Sequence, residues 1–442
     1  MKNRIKLKGY ELFKYAKTII PGGSQLFGKR SELYAPGLWP SYYKKAKGCE
    51  VTGLDNKKYL DFTMVGTGTS VLGYSNNKVN SAVKKALETG TISTLNNVEE
   101  VDLAEILLDL HPGMGMVRYA RSGGEILSIA IRVARAHTGR EKVAICGYHG
   151  WHDWYMSANL NNQNNLNNHL LPNIGSVGVP KSMRGLSVPF EFNNIKSLEN
   201  VLKKDPSGFA AVILEPFRDN GPKNRYLEQV KSIAKKYGAV LIFDEVTSGF
   251  RETLGGMYTK TKVVPDMVTF GKAISNGIPM SALLGRKKIM KSFTSAFVSS
   301  TYWGDKTGPT AAIATINFMK KNQVGQKIKK IGNELKDILI NAAKKSNLDI
   351  VISGRSSLLS YSLNVPNWPL ALTFIIITML KKGILSNDRI YANYCHTAIA
   401  KKKFKIAINE TFEELSKKIN SGKLKEAVPL GIKKTGFNKV YK

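Results

Sequence analysis

The stretch Val240-Leu241-Ile242-Phe243-Asp244-Glu245-Val246 is a continuous apolar run interrupted only by two adjacent carboxylates near its end. A second apolar run, Met267 to Phe270, is followed directly by Gly271 and Lys272. Short runs of this kind, bounded by polar residues or glycine, are typical of strands buried on both faces of a parallel sheet. Because ligands of open α/β sheets lie beyond the carboxyl ends of the strands, we expect Asp244 and Lys272 to face one crevice.

Four further apolar runs lie between about residues 115 and 285 and alternate with helical patterns. Strands are predicted at Val117–Tyr119, Val143–Cys146, Ala210–Leu214 and Ala282–Leu284. Helices are predicted where apolar residues recur on one face, as they do at Ile126, Ile129, Ala130, Val133 and Ala134 and again at Leu227, Val230, Ile233 and Ala234. Strands that alternate with helices predict an α/β fold, with a large domain whose central sheet is mostly parallel.

The two ends of the chain carry other patterns. A hairpin is predicted between 48–51 and 59–62, around the turn at 53–56. Past residue 310, the predicted helices are 327–345, 370–380 and 411–419, and the predicted strands are 350–352 and 358–363. The asparagine-rich segment 159–169 is predicted to be a surface excursion. We expect residues 1–70 and 316–442 to form a smaller α+β domain and residues 71–315 to form the large domain.

The composition excludes several classes of protein. Of the 442 residues, 43% are hydrophobic and 22% are charged, which is typical of a globular chain and not of a disordered one. The 66 basic and 33 acidic residues leave a net charge of +33, but the lysine pairs are spread along the chain. Nucleic-acid binding needs cations gathered on one track, so a solvated lysine-rich surface is favoured and no nucleic-acid partner is expected.

The sequence also bears on where the chain works. Its three cysteines, Cys49, Cys146 and Cys395, show no CxxC spacing, so neither a disulfide framework nor a cysteine zinc site is indicated and a cytoplasmic location is favoured. The segment 1–10 lacks the apolar core of a signal peptide. The longest apolar stretch, 370–380, is too short to span a bilayer, so we expect no membrane association.

Two other motifs at predicted strand ends are candidates for chemistry. Arg121-Ser122-Gly123-Gly124-Glu125 runs into the first predicted helix, and glycine amides at a helix N-terminus can bind a phosphate. Tyr148-His149-Gly150-Trp151-His152-Asp153 follows another strand and offers an aromatic ring that can stack on a planar ligand. A metal at this second motif is disfavoured, because no third ligand stands at a fixed spacing, and no metal is expected.

The carboxylate at 244 and the lysine 28 residues later (272 minus 244) are the pair that a pyridoxal phosphate enzyme needs. The lysine forms a Schiff base with the cofactor, and the acid keeps the ring nitrogen protonated, so that the ring becomes an electron sink. Each residue alone is more often structural. The hypothesis of a pyridoxal 5'-phosphate site therefore rests on the whole set of motifs.

With these motifs, the chain resembles class III pyridoxal-phosphate-dependent aminotransferases of fold type I, in the branch similar to glutamate-1-semialdehyde 2,1-aminomutase. The resemblance covers about residues 18 to 400. It rests on motifs in one order: Ile20-Pro21-Gly22-Gly23, the glycine turn, the aromatic motif, Glu215-Pro216, Asp244 to Arg251, Gly271-Lys272 and Ser300-Thr301.

The resemblance implies a role for particular residues. Lys272 and Asp244 would be catalytic, as the Schiff-base lysine and the partner of the ring nitrogen. The other cofactor-binding positions would be Ser122, Gly123, Gly124, Tyr148, His149, Glu215, Asn220, Val246 and Thr301. Among them Val246 and Tyr148 would pack on opposite faces of the ring. Thr301 would reach the cofactor phosphate of a neighbouring subunit, which implies a homodimer.

The departures from the family pattern concern the substrate more than the cofactor. Gly124 stands where many relatives have Thr or Ala, which removes a hydroxyl but keeps the backbone donors. Lys29, with Arg30 beside it, stands where the aminomutase has an arginine for the substrate carboxylate, and lysine cannot make the same two-pronged contact. The segment 387–394 also lacks the acidic pattern of the true aminomutase.

The expected function is transfer of an amino group between an amine or amino acid and a carbonyl compound, both small molecules. An intramolecular transfer, as in the aminomutase, is the first alternative. A non-catalytic binding protein on the same fold is the second, although the retention of both Asp244 and Lys272 disfavours it.

Overall fold

The computed structural model describes residues 9–218 and 220–437. The chain divides into two compact units, one formed by 1–76 with 326–442 and the other by 77–325. The large domain predicted from the sequence, 71–315, begins and ends earlier than the second unit. The prediction about a signal peptide falls on residues 1–10, of which 1–8 lie outside the described residues.

The helices and strands are numbered here in chain order. The helices are α1 (Gly9–Ile19), α2 (Asn77–Glu88), α3 (Glu99–Leu110), α4 (Gly123–Thr138), α5 (Asp153–Met156), α6 (Ile195–Lys203), α7 (Tyr226–Lys236), α8 (Lys287–Met290), α9 (Thr307–Asn322), α10 (Val324–Lys345), α11 (Trp368–Lys381) and α12 (Ala398–Asn420). The strands are β1 (Tyr43–Lys47), β2 (Glu50–Gly53), β3 (Lys58–Phe62), β4 (Met116–Ala120), β5 (Lys142–Cys146), β6 (Ser187–Pro189), β7 (Phe209–Leu214), β8 (Val240–Asp244), β9 (Met267–Phe270), β10 (Ser281–Gly285), β11 (Ile350–Ser353), β12 (Leu359–Leu363), β13 (Ile384–Ser386) and β14 (Arg389–Ile390).

A seven-stranded sheet, in the order β4-β10-β9-β8-β7-β5-β6, forms the centre of the 77–325 unit. Its strands run parallel except β10, which is antiparallel to both of its neighbours. Every residue of β7, β8 and β9 is buried, which explains why these strands are mostly apolar, apart from Asp244 and Thr269, and do not alternate with polar residues. The mostly parallel central sheet expected from the sequence is confirmed, as are the six strands predicted between about residues 115 and 285.

The helix α4 shows how the local sequence positions a site. Ser122 caps its N-terminus in a capping box with Glu125, and Gly139 ends it in the left-handed conformation with φ 68°. The five apolar residues that predicted this helix are all buried in the core against the sheet. In α7, three of the four predicted face residues are buried, and Ile233 is only partly so.

The unit formed by 1–76 and 326–442 contains a four-stranded sheet, β1-β2-β3-β13, and a three-stranded sheet, β11-β12-β14. The predicted hairpin is confirmed, because β2 and β3 pair antiparallel and the amide of Asn56 closes the turn on the carbonyl of Gly53 at 3.1 Å. The helix predicted at 411–419 starts too late. Its observed counterpart α12 begins at Ala398, because Thr397 caps it and Ala400 and Phe404 extend its buried face.

Two further segments test predictions about the surface. The asparagine-rich segment 159–169 is not wholly exposed, since Asn159 is 2% exposed and Leu166 is fully buried. The Asn159 side chain explains this difference, because it bonds the backbone of Ile174 and Leu166. The apolar helix α11 is 14 residues long, and within 9–218 and 220–437 no helix has the length and apolarity to cross a membrane.

Candidate active site

The strands β8 and β9 bring Asp244 and Lys272 to the same edge of the sheet. Asp244 is the last residue of β8 and lies opposite Thr269 of β9, and Lys272 follows β9 by two residues. The Lys272 Nζ donates to the hydroxyl of Thr247, at 2.8 Å, three residues beyond Asp244. The Lys272 backbone has φ 46°, a left-handed conformation that a non-glycine residue adopts at a cost and that clusters at functional sites.

Asp244 is held by a buried histidine. Its Oδ2 lies 2.7 Å from Nδ1 of His149, and the exposed fractions of the two residues are 3% and 0%. Its Oδ1 accepts the backbone amide of Val246 at 3.0 Å. Because a carboxylate oxygen is an acceptor, Nδ1 carries the proton of this pair. The opposite ring nitrogen of His149 is buried and has no hydrogen-bond partner among the described residues.

Val246 connects the acid to the two glycine motifs. A Cβ at Gly123 would lie 3.1 Å from Cγ1 of Val246, and a Cβ at Gly271 would lie 3.2 Å from the same atom. Any side chain at either glycine would therefore crowd Val246. The valine side chain thus lies between the start of α4 and the residue before Lys272, which brings three sequence motifs to one place.

The start of α4 has the features of an anion site. Ser122 caps the helix, and its carbonyl accepts the hydroxyl of Ser281 at 2.9 Å, which fixes the turn. The amides of Gly123 and Gly124 have no partner among the described residues, as expected for the first turn of a helix. Since α4 is 16 residues long, its dipole also favours a negative charge at this end.

His152, for which the sequence predicts no role, explains why residue 124 is a glycine. A Cβ at Gly124 would lie 2.7 Å from Cε1 of His152, so the imidazole occupies the space that a threonine or alanine would need. The ring stacks on Trp151 with centroids 4.6 Å apart, and its Nδ1 is buried without a partner in the described part of the chain. Burial lowers the pKa of His152 from its usual 6.5.

Tyr148 and Glu215 lie side by side at the ends of β5 and β7. The backbone amide of Tyr148 donates to Oε2 of Glu215 at 3.1 Å, and Arg218 pairs with the same oxygen at 3.2 Å. Burial, and to a smaller extent the charge of Asp244, raises the pKa of Glu215, whereas Arg218 opposes that shift. The Tyr148 side chain is 39% exposed, so its ring is available for stacking on a ligand.

The segment that contains Thr301 is attached to the glycine turn by Arg121. The Arg121 guanidinium donates to the carbonyls of Tyr302 and Trp303, both at 2.9 Å, and to that of Asp305. Thr301 itself is exposed at the start of a short 3₁₀ helix. The motif from Arg121 to Glu125 predicts a phosphate site but no role for Arg121 itself. Its place beside the glycine turn was the available signal, but the three carbonyls are about 180 residues away in the chain.

The remaining predicted site residues are Asn220, Lys29 and Arg30. Asn220 is exposed on the segment between β7 and α7. Lys29 is exposed, whereas Arg30 is 3% exposed, with its guanidinium against Gly22 and over the ring of Phe27 at 5.4 Å. In the described residues no three His, Cys, Asp or Glu side chains form a group able to hold a metal ion.

Comparisons with known proteins agree with this geometry. The family model "Aminotransferase class-III" matches residues 34–384, and the chain belongs to that family. It is 32% identical over 352 residues to the 3-aminobutyryl-CoA aminotransferase of Cloacimonas acidaminovorans, covering 77% of this chain and 80% of that protein. It is 33% identical over 327 residues to a glutamate-1-semialdehyde 2,1-aminomutase of Ignicoccus hospitalis, covering 72% and 75%.

Solved structures show the same fold. The FumI protein of Sphingopyxis sp. MTA144, in its PLP internal aldimine form, superposes with a TM-score of 0.84 at 22% identity, over 94% of this chain and 98% of that one. An omega-transaminase from Sphaerobacter thermophilus gives 0.80 at 23% identity, over 93% and 99%. The fold is therefore fold type I of the pyridoxal-phosphate-dependent transferases, and the chain is an enzyme of that kind with pyridoxal 5'-phosphate as its cofactor.

The residues at the carboxyl edge of the sheet fit this cofactor. Two unpartnered glycine amides at a helix N-terminus suit its phosphate, and a buried carboxylate suits its ring nitrogen. An exposed tyrosine ring and a valine side chain suit its two faces, and a lysine stands beside them.

Proposed function

We propose that this enzyme is an aminotransferase, that Lys272 attaches its cofactor and that Asp244 binds the ring nitrogen. The observation that carries the proposal is the single edge of the sheet on which Asp244, Val246 and Lys272 meet the glycine turn. The match to the class-III aminotransferase family and the 32% identity to a 3-aminobutyryl-CoA aminotransferase support it.

When bound, pyridoxal phosphate stabilises the negative charge that develops on the substrate carbon bearing the amine. The chain supplies the groups that prepare this chemistry. Asp244 offers a carboxylate in a fixed orientation, because His149 and the Val246 amide hold both of its oxygens. Burial of the pair excludes water and strengthens the charge–dipole interactions made there.

Lys272 is placed to move protons. Once the substrate amine has replaced it, its free Nζ would take the proton from the substrate carbon and deliver it to the cofactor carbon that the lysine had occupied, because return to the same carbon gives no net transfer. The Thr247 hydroxyl, 2.8 Å from Nζ, orients the amine for that role. The Lys272 backbone has a positive φ, which is strained for a residue other than glycine. This strained conformation sets the direction in which the lysine side chain leaves the turn.

The amides of Gly123 and Gly124 would hold the cofactor phosphate, with Ser122 capping the helix that presents them. We propose that His149 orients Asp244, that Val246 and Tyr148 enclose the ring, and that Glu215 and Asn220 line the side near the ring hydroxyl. Lys29 and Arg30 are the proposed contacts for a substrate anion.

An intramolecular amino transfer is the second candidate, because an aminomutase is 33% identical to the chain. Lys29 disfavours it, since the aminomutase resemblance calls for an arginine at that position. The two candidates differ in stoichiometry. An aminotransferase needs a second carbonyl substrate to regenerate its cofactor, whereas an aminomutase completes its cycle on one molecule.

The test is a half-reaction. The cofactor-loaded enzyme is mixed with a panel of amino acids, amines and amino aldehydes without any keto acid, and its visible absorbance is followed. The proposal expects at least one donor to bleach the yellow form once and a keto acid to restore the colour. Steady turnover of an amino aldehyde without a keto acid would select the aminomutase. A protein that stays colourless with added cofactor would contradict both.

We also propose a cytoplasmic homodimer in which Thr301 contacts the partner's cofactor phosphate. The exposure of Thr301 supports the contact with the partner, and the lack of a disulfide bond at Cys49, Cys146 and Cys395 supports the location. Sedimentation equilibrium tests the dimer, and cofactor release from Thr301→Ala tests the contact. A monomer at micromolar concentration that still holds the cofactor, or a Thr301→Ala variant that releases the cofactor no faster than the wild type, would contradict it.

A further inference from the structure

A cavity of about 660 Å³ opens at the other edge of the seven-stranded sheet, where β8 begins. It is lined by the first residues of β8, Val240 and Leu241, and by residues of α7, of the end of α4 and of the start of α8. Since β8 rises by about 3.3 Å per residue, Val240 lies about 13 Å from Asp244. The cavity is therefore separate from the candidate active site, and its size is in the range of small-molecule sites.

The lining of this cavity is strongly basic. Five of its fourteen residues are lysine or arginine, against 66 of 442 in the whole chain, so the basic composition of the protein does not by itself account for them. One acid is present, Asp266, and its carboxylate pairs with Arg286 at 3.0 Å. Five cations and one carboxylate leave an excess of four positive charges, apart from His137, which also lines the wall.

Three of these cations have no acidic partner in the described part of the chain. They are Lys231, Lys235 and Lys288. The first two stand four residues apart on α7 and therefore project from the same face of the helix. Three uncompensated ammonium groups around one cavity repel one another, and a bound anion would relieve that repulsion.

Arg140, which also lines the cavity, adds hydrogen-bond donors in a fixed orientation. Its Nη1 donates to the carbonyls of Tyr237 at 2.6 Å and Phe209 at 3.3 Å, which fixes the guanidinium plane. Its Nε and Nη2 have no partner among residues 9–218 and 220–437. These two atoms form the edge of a guanidinium that binds a phosphate or carboxylate through two parallel hydrogen bonds.

We propose that this cavity binds a small anion that carries two or more phosphate groups. The excess of four charges exceeds what one phosphate neutralises, and the cavity is larger than one phosphate. The free edge of Arg140 would take one phosphate, and Lys231, Lys235 and Lys288 would surround the other. This site is independent of the proposed function, because it lies at the opposite edge of the sheet and is tested by binding alone.

The test is calorimetric titration of the cofactor-loaded enzyme with pyrophosphate and, separately, with ADP. Loading fills the phosphate position at α4, so that the added anion does not bind there. We expect one anion bound per chain. The double variant Lys231→Glu/Lys235→Glu should weaken binding by about tenfold or more. The milder Lys231→Gln/Lys235→Gln should weaken it in the same direction, and it covers the case in which charge reversal disturbs α7.

The matched control is Lys329→Glu/Lys330→Glu, which makes the same change in net charge at two exposed lysines of α10. Its pyrophosphate affinity should stay within about twofold of the wild type at equal salt. ADP binding about tenfold tighter than pyrophosphate would identify a nucleotide as the ligand, and equal affinities would identify the phosphates alone. No binding of either anion, or an equal loss in the α10 control, would overturn the proposal.

Discussion

At the carboxyl edge of the sheet, Asp244 and His149 are almost completely buried and are hydrogen-bonded to each other. At the amino edge, where the parallel strands begin and the basic cavity lies, Lys231 and Lys235 are at least partly exposed and have no acidic partner within the described residues. The first edge holds a few groups in one orientation. The second gathers charge around an open cavity. One sheet thus provides a preorganised site for chemistry and a separate site whose affinity would come mainly from electrostatics.

The largest expected effect separates the two edges. Asp244→Asn keeps the size of the side chain but removes the charge opposite the ring nitrogen, so turnover should fall by about a thousandfold. The matched change at the amino edge is Asp205→Asn, since Asp205 pairs with Lys142 at the start of β5 at 2.8 Å. Steady-state kinetics of both variants check this prediction. Similar turnover in the two would mean that the carboxyl edge is not where the chemistry occurs.

A second prediction concerns the cost of burying charge next to the site. Glu245 is fully buried, and burial raises its pKa from 4.5 to about 7, although the amides of Met257 and Tyr258 act against that shift. Because the folded state then holds this proton more tightly, the carboxyl stabilises the fold below about pH 4.5, and that contribution of about 3 kcal/mol is lost as the pH rises to about 7.

Glu245→Gln stays neutral, so its free energy of unfolding relative to wild type should improve between pH 5 and pH 8. Urea unfolding at the two pH values measures the change. Glu199→Gln is the control, since Glu199 pairs with Lys203 on the surface at 3.3 Å. A Glu245→Gln variant whose difference from wild type is the same at both pH values would contradict the raised pKa.

The third prediction tests how far the orientation of Asp244 matters. His149→Phe preserves a ring but removes the donor to Asp244, and turnover should fall by about tenfold. His149→Gln can still donate an N–H to Asp244, so its turnover should fall by less than that of His149→Phe. If the two variants were equally impaired, packing of the ring, and not its hydrogen bond, would be the contribution of His149.

The smallest effect is expected at Gly124, where a methyl group would meet the ring of His152. Gly124→Ala should raise the dissociation constant of the cofactor by about fivefold, and the double variant with His152→Ala should recover most of that loss. Gly139→Ala, at the other end of α4, should lower stability without changing cofactor affinity. If the effects of the two substitutions on cofactor affinity were simply additive, His152 would not be the group that requires a glycine at position 124.

The sequence was sufficient for the parts that depend on local pattern. Apolar runs that end in Asp244 and Lys272 predicted both the strands and the shared edge, because strand periodicity and the edge rule are properties of short segments. The helices α2 and α3 received no prediction. In α2 only Val79 and Ala86 are buried, so its apolar stripe is too sparse to be recognised.

Contacts between distant segments could not be predicted in this way. The contact between Gly124 and His152 and the bonds from Arg121 to the 302–305 segment depend on where loops lie after folding. The basic cavity combines residues from 137 to 289, and in the sequence its lysines look like any other lysine pairs. Only the fold shows that these lysines line one cavity, because it brings them together at the start of β8.

The central claim is that the carboxyl edge carries the cofactor on Lys272. Borohydride reduction of the cofactor-loaded enzyme, followed by peptide mapping, tests this claim most directly, because reduction fixes the pyridoxyl group on the lysine that held it. We predict one labelled residue, Lys272, and no label in Lys272→Ala. A pyridoxyl group on any other of the chain's lysines, or a labelled Lys272→Ala variant, would contradict the account.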